Sequence, residues 1–143
     1  MSSTKQKRLF IIDGYATLYR AHYALIRNPL TNSAGTPTSA IFGFANQVFQ
    51  LIEEEKPDYL VAAFDSKGKN FRHEIFSDYK ANRSEMPDEI QTQLPYLWTL
   101  LKAMNIPVLR VDGVEADDII GTVAKKCSES DLQCNIVSGD KDF

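Results

Sequence analysis

Carboxylates recur in this chain of 143 residues where predicted β-strands end. Asp13 ends an apolar run over residues 9–12, and Asp65 ends another over residues 59–64. In an open α/β sheet, ligands bind in the crevice beyond the carboxyl ends of the strands. Carboxylates crowded there repel one another unless cations lie among them. The pattern therefore predicts a divalent-metal site at one edge of a sheet.

Two further acidic motifs also lie where predicted strands end. Glu115, Asp117 and Asp118 lie in the sequence GVEADD after the third predicted strand, and Asp140 and Asp142 follow the fourth. Either motif alone has a structural explanation, because acids in a first helical turn are stabilised by the helix dipole and Asp is common in turns. Their coincidence at the same end of successive parallel strands favours a shared site.

The type of ligand indicates the metal and the chemistry. Carboxylate oxygens without a nearby cluster of histidines or cysteines favour Mg²⁺ or Mn²⁺ over zinc. Two such ions, about 3.5–4 Å apart, can stabilise the attacking and leaving oxygens when a phosphodiester is hydrolysed. Hydrolysis of nucleic acid is therefore the leading interpretation.

The segment 66–87 fits neither a helix nor a strand pattern and is too long for an ordinary connection in a compact domain. Its cations and aromatics alternate: Lys67, Lys69, Phe71, Arg72, Phe76, Tyr79, Lys80 and Arg83. Such a mixture suits single-stranded nucleic acid, which it would bind through charge and base stacking. A solvated loop anchored by its aromatics fits the composition equally well.

The elements that must position these residues alternate between short strands and longer helices, which is typical of βαβ units with a mostly parallel sheet. Strands are predicted at residues 9–13, 59–65, 106–111 and 134–138. Helices are predicted at residues 17–26, 37–55 and 88–104, with a last one beginning near Glu115. The helix over 37–55 should bury one apolar face, made of Ile41, Phe44, Ala45, Val48, Phe49 and Ile52.

Composition sets the broad class. With 43% apolar residues, the chain can form one compact domain. The net charge of -3 offers no general basic surface for nucleic acid. Cys127 and Cys134 match no zinc spacing and suit reduced thiols, and no stretch approaches a membrane span. We therefore expect a soluble, cytoplasmic protein.

Taken together, the motifs resemble the 5′-nuclease (5′-3′ exonuclease) domain of bacterial DNA polymerase I and its flap-endonuclease relatives. The resemblance is carried by Asp13-Gly14-Tyr15 with Arg20, Phe64-Asp65, Phe71-Arg72, YKANR at 79–83, GVEADD at 113–118 and SGDKD at 138–142. These motifs occur in the family's order and span nearly the whole chain. The GVEADD and YKANR runs are the most specific of them.

The resemblance implies a PIN-like, Rossmann-like three-layer α/β fold that uses two Mg²⁺ or Mn²⁺ ions to cut near the 5′ end of a displaced DNA or RNA primer strand in replication and repair. It assigns the first metal to Asp13, Asp65, Glu115, Asp117 and Asp118, and the second to Asp140 and Asp142. It assigns substrate contacts to Arg20, Arg72, Tyr79, Lys80 and Arg83. Asp13, Asp65, Asp117, Lys80 and Arg83 are then the catalytic set.

Members of this family continue past the last motif into a further pair of aspartates and a helix-hairpin-helix element that grips DNA. We therefore expect residues 1–143 to be the N-terminal part of the nuclease domain, without the helix-hairpin-helix part. Such a chain should bind metal weakly and cleave poorly, if at all.

Three other functions share parts of this sequence pattern. A phosphatase of the haloacid-dehalogenase type needs a second aspartate two residues after the first, where Tyr15 stands. A PIN-type ribonuclease shares the acids but has no need of the YKANR run. A non-catalytic accessory module that binds nucleic acid belongs to a different class. This last alternative and the ribonuclease stay open at the level of sequence.

Overall fold

The computed structural model of the protein describes residues 6–66 and 86–138. In that part of the chain, the strands are β1 (Arg8–Asp13), β2 (Tyr59–Ala63), β3 (Val108–Leu109) and β4 (Gln133–Val137). The helices are α1 (Gly14–Ala24), α2 (Ser39–Glu55), α3 (Asp88–Ala103) and α4 (Ala116–Glu129). None of the described helices is long and apolar enough to cross a membrane.

The strands form one parallel sheet in the order β3-β2-β1-β4. β1 lies in its interior, where Ile12 pairs with Ala62 of β2 on one side and with Val137 of β4 on the other. Since every strand runs in the same direction, all four carboxyl ends meet at one edge of the sheet. The predicted parallel sheet is confirmed.

Helices cover both faces of this sheet. Ile12 packs in a core with residues of α1, α2 and α3, among them Leu18, Phe44 and Leu97. Its neighbour Ile11 packs on the opposite face against Ile119 of α4. Successive side chains of a strand point to opposite faces, so β1 is buried on both. The predicted three-layer α/β fold is therefore confirmed.

Some predicted boundaries were wrong. α1 begins at Gly14 and not at residue 17, because Asp13 is its N-cap and its Oδ1 accepts a hydrogen bond from Ala16 N, at 3.4 Å. β2 ends at Ala63 and not at Asp65, and β3 has two residues and not six. Beyond β2 the ladder is still continued by Phe64 N, which donates to Leu109 O at 3.0 Å.

The predicted buried face of α2 is narrower than expected. Phe44 and Val48 are buried, but Phe49 is 53% exposed and Ile52 is 39% exposed. Residues at three- and four-residue steps spread over a wide arc of a helix, and only the middle of that arc faces the core. The prediction was wrong for these two residues.

Two aromatic contacts, both made by Phe64, lie next to the carboxyl edge of the sheet. Phe64 packs edge-on against Tyr15 of α1, with ring centroids 5.0 Å apart, and against Trp98 of α3, at 4.8 Å. A Cβ atom on Gly14 would lie 2.1 Å from Phe64 Cε1. Only glycine at this position lets α1 start so close to the end of β2.

We predict that Gly14→Ala lowers the free energy of unfolding by about 1–3 kcal/mol, because the added methyl group overpacks the Phe64 ring. Gly121→Ala is the matched control, since nothing lies within 4 Å of its added Cβ in α4. That change should be neutral or stabilising by up to about 1 kcal/mol. Urea denaturation of both variants measures the difference, and equal stability of the two would refute the steric argument.

Candidate metal site at the carboxyl edge of the sheet

Asp13 lies at the point where β1 passes into α1. Burial raises the pKa of its carboxyl above the usual 3.8; the hydrogen bond from Ala16 N lowers it, and the negative charges of Asp117 and Asp65 raise it. Asp65, just after β2, and Asp117, in the first turn of α4, therefore lie close enough to Asp13 for their charges to act on it. The structure places these two predicted site residues within electrostatic range of Asp13.

Asp65 connects the end of β2 to the start of α4. Its Oδ1 accepts a hydrogen bond of 2.6 Å from Ala116 N, the first residue of α4. Glu115 occupies the N-cap position, but its side chain makes no capping bond. Asp65 thus satisfies one of the amide donors at this helix end that have no partner within the helix, and it does so across 51 residues of sequence.

A second pair of bonds fixes the same junction. Gly113 N donates to Ser66 Oγ at 3.2 Å, and Ser66 N donates to Val114 O at 3.4 Å. Gly113 has φ +78°, in the left-handed region that favours glycine. The loop after β2 and the turn before α4 are therefore held against each other, which positions the acids that follow.

The acids of the GVEADD motif occupy this turn. Asp117 and Asp118 are exposed in the first turn of α4, and Glu115 is half-buried just before it. The positive end of the α4 dipole favours negative charge there. The structure therefore places all three residues at the junction where Asp65 and Asp13 lie.

The donor set consists of carboxylate oxygens, which fit a hard divalent cation such as Mg²⁺ or Mn²⁺. Within residues 6–66 and 86–138, no three or more His, Cys, Asp or Glu side chains already form a metal-binding cluster. The mutual repulsion that acts on Asp13 is what a bound cation would relieve. The residues present fit such an ion, and their assignment as ligands stays a prediction.

One of the remaining predicted site residues, Arg20, lies in the described part of the chain. Arg20 of α1 lines a groove of about 900 Å³ between α2 and β4, which extends to Val137 and Ser138 at the carboxyl end of β4. The others lie outside the described residues: Arg72, Tyr79, Lys80, Arg83, Asp140 and Asp142.

Sequence reasoning missed Arg110, which directly follows β3. Its Cζ lies 4.7 Å from the centroid of the Trp98 ring, and its guanidinium lies beside the Tyr15 hydroxyl. Burial raises the pKa of Tyr15, the nearby donor and charge of Arg110 lower it, and the charge of Asp65 raises it. A cation at the end of an otherwise apolar strand was the available signal.

The fold and the acidic edge define a PIN-like α/β domain, and solved structures share its architecture. The T5 D15 protein crystallised with metal ions superposes with a TM-score of 0.65 at 20% identity, covering 95% of this chain and 50% of that one. The bacteriophage T5 D15 flap endonuclease in complex with DNA and metal ions gives 0.61 at 19% identity, covering 94% and 50%. At these identities the likeness shows the fold.

The chain belongs to the family described as "5'-3' exonuclease, N-terminal resolvase-like domain", which matches residues 8–143. DNA polymerase I of Caldicellulosiruptor bescii is 44% identical over 135 residues, which is 94% of this chain and 16% of that protein. The 5'-3' exonuclease of Aquifex aeolicus is 43% identical over 137 residues, 96% and 47% respectively. The chain therefore spans less than half of each of these relatives, and the predicted family resemblance is confirmed.

We predict that Asp65→Ala destabilises the protein by about 1–3 kcal/mol, because it leaves the buried Ala116 amide without an acceptor. Asp65→Asn keeps a carbonyl oxygen at that position and should lose less than half as much. Both variants should lose the stabilisation that wild type gains from Mg²⁺. Thermal unfolding with and without Mg²⁺ separates the two roles, and an equal loss of stability in both variants would contradict the capping role.

Proposed function

We propose that this chain is the metal-binding part of a 5′-3′ exonuclease or flap endonuclease, which hydrolyses phosphodiester bonds near the 5′ end of displaced strands. The observation that carries this is that the charges of Asp65 and Asp117, from two other elements, act on the half-buried Asp13 at the carboxyl edge of the sheet. Membership of the 5'-3' exonuclease family supports this activity over that of a non-catalytic module.

In this proposal, the first Mg²⁺ or Mn²⁺ is held by Asp13, Asp65, Glu115, Asp117 and Asp118, and Asp140 and Asp142 contribute to the second. A divalent ion there supplies charge stabilisation at the reacting phosphate and a more acidic water. The chain's own contribution is orientation. The bond from Ala116 N fixes the Asp65 carboxylate, and the first turn of α4 carries Asp117 towards Asp13.

The proposed substrate is DNA with a 5′ flap, nick or branch, or an RNA primer. Its phosphates would be held by Arg20, Arg72, Lys80 and Arg83, and Tyr79 would stack on a terminal base. The T5 relative of this fold that was solved with DNA supports a DNA substrate.

Residues 1–143 would form the N-terminal part of the nuclease domain, since the A. aeolicus exonuclease is about twice as long. The cytoplasm is the proposed location, and the free thiols of Cys127 and Cys134 suit it.

We predict that Asp117→Asn abolishes Mg²⁺-dependent cleavage. The assay uses a 5′-labelled flap and a chimera in which this chain replaces the matching N-terminal segment of the A. aeolicus exonuclease. The loss should be at least about 100-fold, because a carboxylate is removed from the proposed ion. The chain alone, assayed in parallel at enzyme excess, should cut much more slowly than the chimera.

Glu129→Gln is the matched control, since it removes a carboxylate from the opposite end of the same helix. It should leave cleavage unchanged. A chimera that binds the flap without cutting it would support the accessory module instead. Cleavage of single-stranded RNA in preference to the flap would support the PIN-type ribonuclease.

A further inference from the structure

Arg110 lies at the carboxyl edge of the sheet, on the face opposite α4. Leu109 pairs with Ala63 of β2 and packs in the core beneath α4. Because side chains alternate along a strand, the next residue is directed to the other face, where Trp98 of α3 lies under its guanidinium. Trp98 also contacts Phe64, which directly precedes Asp65 in the sequence.

The guanidinium is only partly satisfied. Its Nε and Nη2 atoms are buried and have no hydrogen-bond partner among the described residues. The ion pair between Arg8 and Glu55 does not involve Arg110. Buried donors on a charged group are costly when unpaired. Packing against Trp98 accounts for the position of the group but leaves these two donors unused.

The two unused donors have a specific geometry. The Nε–H and an Nη2–H bond of arginine point from the same edge of the planar group, and this edge forms parallel hydrogen bonds with two oxygens of a carboxylate or phosphate. Asp65 is near enough to affect the neighbouring Tyr15 hydroxyl. Its Oδ1 is nevertheless engaged by Ala116 N. No described residue accepts a hydrogen bond from this edge, so an external anion would satisfy both donors.

We propose that Arg110 is a substrate-binding residue whose Nε–Nη2 edge takes the non-bridging oxygens of a backbone phosphate of the nucleic-acid strand lying over the acidic edge. The inference rests on the proposed nuclease function and adds a phosphate contact to it. Arg110 as a whole is half-buried, and its Nε and Nη2 atoms are buried, so the proposed contact requires the guanidinium to turn over the Trp98 ring and expose this edge. The Tyr15 hydroxyl lies beside the same guanidinium.

The fluorescence of Trp98 can report binding at Arg110, because Trp98 is the one tryptophan in the sequence and it contacts the guanidinium. The 143-residue chain is titrated in EDTA with single-stranded oligothymidylate, with excitation of Trp98 alone. Wild type should show a saturable fluorescence change. Arg110→Met should weaken binding by about ten-fold or more. The dependence of log K on log salt concentration should also become shallower, by the amount expected for the loss of one phosphate contact.

Arg110→Lys keeps the charge without the two-donor edge and should bind with an affinity between wild type and Arg110→Met. Lys126→Met, in the last turn of α4, controls for net charge and should bind as wild type does. Thermal unfolding of each variant identifies any general loss of structure. Wild-type affinity and an unchanged salt slope in a folded Arg110→Met would overturn the proposal, as would an equal loss of affinity in Lys126→Met.

The Arg110 phosphate contact and the proposed nuclease activity can be tested separately. In the flap-cutting chimera, Arg110→Met should raise KM with kcat little changed. If Asp117→Asn abolishes cutting and Arg110→Met leaves KM unchanged, the phosphate contact alone is refuted. If neither chimera nor chain cuts but the Arg110 effect on oligothymidylate binding remains, the phosphate contact stands and the nuclease proposal fails.

Discussion

The repulsion among carboxylates at the edge of a parallel sheet is the constraint on which the rest of this structure depends. Parallel strands end at the same edge, so acids that follow β1 and β2 are brought near one another by the fold itself. Asp13 shows the result, since burial and the charges of Asp117 and Asp65 raise its pKa. Such an arrangement is stable only if the surrounding structure holds it, and a cation would make it favourable.

Several local features hold these acids in place. The bond from Ala116 N to Asp65 joins α4 to β2, and the Ser66 bonds to the turn at Gly113 support it. On the opposite face, the rings of Tyr15, Phe64 and Trp98 form a rigid base beneath the end of β2. The site therefore depends on contacts between residues far apart in sequence, which a local change such as Gly14→Ala would disturb.

The sequence was sufficient for the features that depend on local pattern. Alternating strands and helices predicted the parallel sheet, and acids at strand ends predicted that Asp65 and Asp117 would lie near Asp13, whose pKa their charges raise. Features that depend on tertiary contacts were not predictable. The exposure of Phe49 follows from how little of α2 its neighbours cover, and the surroundings of Arg110 come from Trp98 and Tyr15 on other elements.

The most direct measurement of the central claim is the melting temperature of wild type and Asp13→Asn, with EDTA and with Mg²⁺. A carboxyl whose folded-state pKa is raised destabilises the fold above that pKa, and the cost disappears as the pH falls below 3.8. Asparagine is as good an N-cap as aspartate. At pH 7 in EDTA, we expect a higher melting temperature for Asp13→Asn than for wild type, while Mg²⁺ should stabilise wild type much more than the variant. A lower melting temperature for Asp13→Asn, with an equal Mg²⁺ effect on both proteins, would contradict it.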